Sequence, residues 1–203
     1  MKKQIPNVLT IGRLVLSLVM FACLALYPNT ADKAQAYNLA LVAFLTFVVA
    51  AVTDFFDGWL ARKWGVTSVT GAILDPIADK ILVCAAILGV LGAGGGTPVL
   101  IPGAIILFRE FAVSALREVL APKGIKLPVT LLAKSKTTLQ LVALGCFMAL
   151  IVWFVVPGGS PDPQSWNAAR LVTLLLFDAA AAVTVWTGLE YALAARKALA
   201  EAQ

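Results

Sequence analysis

Six apolar runs, roughly 8–27, 38–62, 71–92, 98–119, 133–156 and 168–194, fill most of this 203-residue chain, and each reaches the ~20 residues a helix needs to cross a hydrocarbon core. Turn-forming residues separate them: Pro28-Asn29, Gly65, Gly92 to Gly96, Pro122 with Pro128, and Pro157-Gly158-Gly159. Only 13% of the residues are charged, against about 25% in an ordinary soluble domain. The mean hydropathy is +0.91. These features predict an all-α, polytopic membrane protein with six transmembrane helices, forming a single integral-membrane domain over residues 1–203.

Lysine and arginine set the orientation. Lys2, Lys3, Arg13, Arg62, Lys63, Arg117, Lys123, Lys126, Lys134, Lys136, Arg196 and Lys197 fall at one set of span ends, whereas Lys33 and Arg170 fall at the other. Both termini are therefore expected in the cytoplasm. Lys2-Lys3 before an apolar run resembles a signal peptide, but no small-residue cleavage site precedes Pro28, so the first run reads as a retained span. Cys23, Cys84 and Cys146 lie far apart in apolar sequence and read as small buried hydrophobes. The chain has no histidine, which excludes imidazole as a proton shuttle or metal ligand. The Gly94-Gly95-Gly96 turn is expected on the non-cytoplasmic side, away from the chemistry-bearing residues, so it does not read as a phosphate cradle.

That chemistry concentrates between Asp54 and Asp79, where DFFDGWLARKWGVTSVTGAILDPIAD places four carboxylates at the facing ends of the second and third spans. An ionised Asp at membrane depth costs a few kcal/mol or more unless it is paired or coordinated. Four facing one another repel and need a counter-charge to stay ionised. Nearby intramembrane cations are too few for a salt-bridged structural network, so the expected counter-charge is a divalent metal, for which carboxylates are hard ligands.

Spacing decides what the acids can reach. Asp54 and Asp57 are i, i+3, and Asp75 and Asp79 are i, i+4, so each pair shares a helix face. Two antiparallel helices bring the faces together, with enough oxygens for two metal ions. Such a site suits phosphoryl transfer, because the ions can hold the attacking and leaving oxygens of an in-line displacement. Gly58, Ala61 and Gly71 leave room for a bulky ligand against backbone, and Arg62 can grip a diphosphate bidentately. Small residues also serve simple close packing in membrane helices.

The pattern Asp54-x-x-Asp57-Gly58-x-x-Ala61-Arg62, eight further residues, then Gly71-x-x-x-Asp75-x-x-x-Asp79 resembles the full signature of the CDP-alcohol phosphotransferases. Those are six-helix membrane enzymes, usually homodimers, that displace CMP from a CDP-linked lipid or alcohol with Mg²⁺ or Mn²⁺. The resemblance implies that Asp54, Asp57 and Asp75 bind metal. It further implies that Asp79 completes the metal site and acts as general base on the acceptor hydroxyl. Asp54, Gly58, Ala61, Arg62 and Gly71 would receive the CDP group.

Further segments resemble the bacterial branch of that family whose acceptor is sn-glycerol 3-phosphate. They are Ile5-Pro6-Asn7-Val8-Leu9-Thr10 with Arg13; Arg109-Glu110 with Ser114-Ala115-Leu116-Arg117-Glu118; and Lys134-Ser135-Lys136-Thr137-Thr138-Leu139-Gln140. The implied partners are CDP-diacylglycerol, sn-glycerol 3-phosphate, membrane lipid and a second copy of the chain, with no nucleic acid, in the bacterial inner membrane. Arg109 and Arg117, i, i+8 on one span, and Lys134 and Lys136 at the start of the next are candidates for the acceptor phosphate. Ordinary positive-inside charge is the alternative role, and it is preferred for Lys123 and Lys126. Lys80 points about 100° away from Asp79 on an ideal helix and has no assignment; Asp178 belongs to no motif. Two rival functions are a sibling transferase acting on phosphatidylglycerol, inositol phosphate or serine, and a divalent-cation transporter using the four acids as an ion site.

Overall fold

A computed structural model describes residues 5–64, 69–123, 131–159 and 161–201. Six long helices account for nearly all of it: α1 (Ile5–Leu26), α2 (Lys33–Trp64), α3 (Val69–Val90), α4 (Thr97–Leu120), α5 (Leu131–Phe154) and α6 (Pro163–Glu201). No strand occurs among the described residues. All six are long and apolar enough to cross a membrane, and the chain is a multi-pass membrane protein.

The helices run past the hydropathic runs where local signals favour it. Asp32 accepts hydrogen bonds from the N–H groups of Ala34 and Gln35 at the start of α2. Asp162 does the same for Gln164 and Ser165 at the start of α6. These are N-cap contacts that satisfy otherwise orphaned donors, and the hydrogen bonds from Ser165 hold the Asp162 carboxyl below its usual range. At its other end α6 continues through Ala-rich, charged sequence that hydropathy does not register. Its 39 residues make a rod of about 58 Å, against a hydrocarbon core of about 30 Å. Between α3 and α4 the chain widens into a π turn over Leu91–Gly95, and Gly94 (φ 100°) and Gly96 (φ 64°) take backbone conformations that a Cβ disfavours.

Two groups of helices make up the bundle. α1 packs along both α2 and α3, while α6 packs along both α4 and α5. The halves meet chiefly through α2 against α5, with α3 touching α5 and α4 more lightly. Lipid tails are as apolar as Leu, so close packing rather than water exclusion holds such helices together. Accordingly, a Cβ on Gly89 of α3 would fall 2.5 Å from Leu24 Cδ1 of α1. At the centre, Phe147 and Phe177 meet edge to face, with ring centroids 5.5 Å apart. Phe108, Trp186 and Leu193 lie on the outer surface, more than 60% exposed, as suits a face solvated by lipid.

Candidate active site where the aspartates meet α1

α1 brings a buried polar stripe to the aspartates. Thr10, Arg13 and Ser17 are all at most 1% exposed, and their i, i+3 and i, i+4 spacing puts them on one face. Arg13 Nη1 lies 2.7 Å from Asp54 Oδ1 and 2.5 Å from Asp79 Oδ1. One nitrogen thus joins an acid of α2 to an acid of α3. Thr10 Oγ1 donates to Asp75 Oδ1 at 2.5 Å, and Ser17 Oγ donates to the Arg13 carbonyl at 2.8 Å. The Arg13 side chain is 0% exposed, while those of Asp54 and Asp79 are 36% and 51% exposed. Arg13 is therefore a floor, and the carboxylates open away from it.

Cations near the acids were expected to be too few to neutralise them, and Arg13 is the one that the described residues bring there. Arg13 is distant from them in sequence, and helix packing delivers it. A single guanidinium does not balance the set, however. Asp54, Asp75 and Asp79 already outnumber it, before Asp57 is counted. The surplus of hard oxygen donors fits a divalent ion. Among the described residues the carboxylates do not close into a three-ligand cluster. The backbone of α2 carries Asp57, Gly58, Ala61 and Arg62 onward from Asp54, but their side chains lie outside the described residues. Gly71 is buried in the opening turns of α3.

A second cluster lies on α4, α5 and α6. Arg109, on α4, is 9% exposed; its Nη2 donates to Thr187 Oγ1 of α6 at 3.3 Å, and its Nη1 lies 3.5 Å from Glu110 Oε1. Lys136 of α5, 2% exposed, pairs with the same Glu110 oxygen. Arg117 Nη2 donates to the Tyr191 hydroxyl at 2.7 Å. Both guanidinium groups lie over the Tyr191 ring, with Cζ 5.5 Å (Arg109) and 5.1 Å (Arg117) from its centroid. Three positive charges thus converge, and among the described residues their ion pairs run to one acid, Glu110. Arg109 Nε is buried without a hydrogen-bond partner. Arg109 and Lys136 are buried and Arg117 is exposed, and a cluster with this surplus of positive donors has the chemistry to bind an anion.

Three of the four residues expected at an acceptor phosphate are therefore together, and the side chain of Lys134 lies outside the described residues. Lys80 gains a role: its Nζ donates to Ser114 Oγ of α4, tying the acid-bearing helix to the cation-bearing one. Tyr191, Thr187 and Glu110 as a shared counter-ion were not singled out by the sequence. The recurrence Thr184, Thr187, Tyr191 along one face of an apolar helix was the available signal; Thr184 too is engaged, accepting from Gln140 Nε2 at 2.8 Å. Asp178 is exposed on α6 and belongs to neither cluster. The three cysteines are free and half-buried.

The chain is thus a six-helix membrane bundle with acids on α2 and α3 and a cation cluster on α4 to α6, an arrangement consistent with a lipid-headgroup transferase. A family model described as CDP-alcohol phosphatidyltransferase matches residues 3–186, and the chain belongs to that family. Its relatives include three proteins named CDP-diacylglycerol–glycerol-3-phosphate 3-phosphatidyltransferase. The one from Shigella flexneri is 39% identical over 199 residues, 97% of each chain. The one from Escherichia coli is 38% identical over the same extent. The one from Cereibacter sphaeroides is 49% identical over 145 residues, which cover 71% of this chain and 62% of that relative.

Proposed function

We infer that this protein transfers the phosphatidyl group of CDP-diacylglycerol to sn-glycerol 3-phosphate, giving phosphatidylglycerol phosphate and CMP for phospholipid biosynthesis. The observation that carries this reading is the juxtaposition of the two clusters. Asp54, Asp75 and Asp79 present acids, Arg109, Arg117 and Lys136 present cations, and the Lys80–Ser114 bond joins the helices that carry them. The names of relatives matched over nearly their whole length point to the same reaction.

In this mechanism Asp79 takes the proton of the acceptor hydroxyl, whose oxygen attacks the phosphorus that bears the diacylglycerol. The bond from that phosphorus to the CMP oxygen breaks, and CMP departs with the electron pair. Two Mg²⁺ or Mn²⁺ ions, held by Asp54, Asp57, Asp75 and Asp79, would neutralise the diphosphate and the charge developing on CMP. Arg62, with the small residues Gly58, Ala61 and Gly71, receives the CDP group. Arg109, Arg117, Lys134 and Lys136 hold the acceptor phosphate. Arg13 fixes Asp54 and Asp79 relative to each other before substrate arrives. The enzyme acts in the bacterial inner membrane as a homodimer, with both termini and the site in the cytoplasm.

The test is CMP release from CDP-diacylglycerol in detergent, with glycerol 3-phosphate, phosphatidylglycerol, inositol phosphate and serine as competing acceptors, with and without a chelator. Turnover with glycerol 3-phosphate alone, abolished by chelation, is the expected result. Preference for another acceptor would make this a sibling transferase. Metal binding with no CMP release from any acceptor would favour a cation transporter.

A further inference from the structure

Two guanidinium groups sharing one small space repel each other and, left to themselves, would splay apart. Here, of the two arginines, Glu110 pairs with Arg109 alone, and a single stretch of α6 contacts both. Tyr191 is 3% exposed and offers its ring to both arginines and its hydroxyl to Arg117. Thr187, one turn earlier, receives Arg109 through its hydroxyl oxygen; the same hydroxyl donates to the Val183 carbonyl at 2.9 Å, which fixes its orientation. Between them Gly188 lets the Arg109 stem lie against the helix, since a Cβ there would come within 2.9 Å of Arg109 Cγ. All three residues lie beyond the 3–186 stretch that the family model matches.

We propose that Tyr191, with Thr187 and Gly188, is a positioning platform that holds Arg109 and Arg117 side by side and so tunes the acceptor site for a phosphate monoester dianion. This rests on the reading of the two arginines as the acceptor-phosphate site. The chemistry follows from the geometry. A face-on aromatic ring attracts each cation without neutralising it. A carboxylate in its place would cancel the charge the ligand needs. A phosphate monoester carries about −1.5 to −2 charges near neutral pH, so two fixed guanidiniums match it better than one. Arginines already held in place also lose less freedom when the anion binds. The platform touches neither substrate nor the reacting atoms, and its effect belongs in acceptor affinity rather than in the chemical step.

The experiment is steady-state CMP release by the full chain in detergent, with each substrate varied in turn, for Tyr191→Phe, Tyr191→Leu, Arg109→Ala, Arg117→Ala and the lipid-facing control Leu189→Ala. The rise in thermal midpoint on adding glycerol 3-phosphate gives a readout independent of turnover. Tyr191→Phe keeps the ring and loses the hydroxyl, and KM for glycerol 3-phosphate should rise about fivefold. Tyr191→Leu loses both, and the rise should reach about thirtyfold, with the thermal shift lost. KM for CDP-diacylglycerol should stay within about twofold throughout, and Leu189→Ala should match the parent protein. If both alanine variants raise the acceptor KM while both Tyr191 variants leave it unmoved, the platform is wrong and the phosphate site stands. If the alanine variants leave it unmoved, both ideas fall. An equal loss for both substrates with a lowered melting point would make Tyr191 a packing residue and overturn the proposal. Should Tyr191→Leu fail to fold, Tyr191→Phe decides.

Discussion

Thr10 Oγ1 donates a 2.5 Å hydrogen bond to Asp75 Oδ1 across the α1–α3 contact. One carboxylate oxygen is thereby engaged and the orientation of the other is set. Contacts of this kind to a ligating carboxylate are typically worth about 10- to 100-fold in metal affinity or activity. Thr10→Val keeps the shape and removes the hydroxyl, and should cut turnover by about tenfold, with Thr10→Ser restoring most of it. Unchanged turnover in Thr10→Val would mean that Asp75 is oriented by something else.

Arg13 should matter to the fold as much as to the reaction. Removing one partner of a fully buried ion pair typically costs about 3–5 kcal/mol; here the carboxylates left behind are 36% and 51% exposed, so water screens them and the cost is smaller. Arg13→Gln should therefore lower the thermal midpoint in detergent and abolish CMP release together. Loss of activity at an unchanged midpoint would show that Asp54 and Asp79 need no buried cation.

The metal assignment predicts a sharper pattern for the other acids. Asp54→Asn, Asp57→Asn and Asp75→Asn each remove ligand charge from a shared site, so each should abolish turnover and weaken Mn²⁺ binding measured by calorimetry. Full activity in any one of them would remove that residue from the site.

Asp79 should separate from these three. As the base, its replacement by Asn should slow turnover about 10²-fold or more while binding of the CDP-lipid survives. Equal losses of lipid binding and rate would identify it instead as a metal ligand above all.

Arg117→Lys retains the charge but loses the planar fork that meets the Tyr191 hydroxyl. Its KM for glycerol 3-phosphate should rise about tenfold, with little change for CDP-diacylglycerol, because the substrates use separate contacts. An unmoved acceptor KM in this variant and in Arg109→Lys would place the phosphate elsewhere.

The spans were legible because a bilayer imposes a length on apolar sequence, and the shared direction of Asp75 and Asp79 toward α1 because i, i+4 spacing fixes a shared face. Periodicity does not say which face meets which helix. Arg13 lies 66 residues from Asp79, and Arg117 lies 74 from Tyr191; no local pattern announces either meeting. Lys80 shows the limit in miniature. Its angle from Asp79 was readable, but the hydroxyl waiting for it on α4 was a property of the packing. The full length of α6 was missed for a different reason. Its last turns are held by Ala-rich helix propensity and by burial of Tyr191 and Ala195, and hydropathy measures neither.

The buried stripe on α1 also bears on how the chain is made. Arg13 leaves the ribosome before the acids that receive it exist, and Asp79 follows 66 residues later. At roughly 5–20 residues per second, that is an interval of about 3–13 s. Until α2 supplies Asp54 and α3 supplies Asp79, the first helix carries a charge whose acids are not yet in place, and the long Arg side chain must reach toward the headgroups to stay hydrated. The final seat of α1 is thus available only after α3 has been synthesised, and membrane insertion and assembly of the active site converge on one late event.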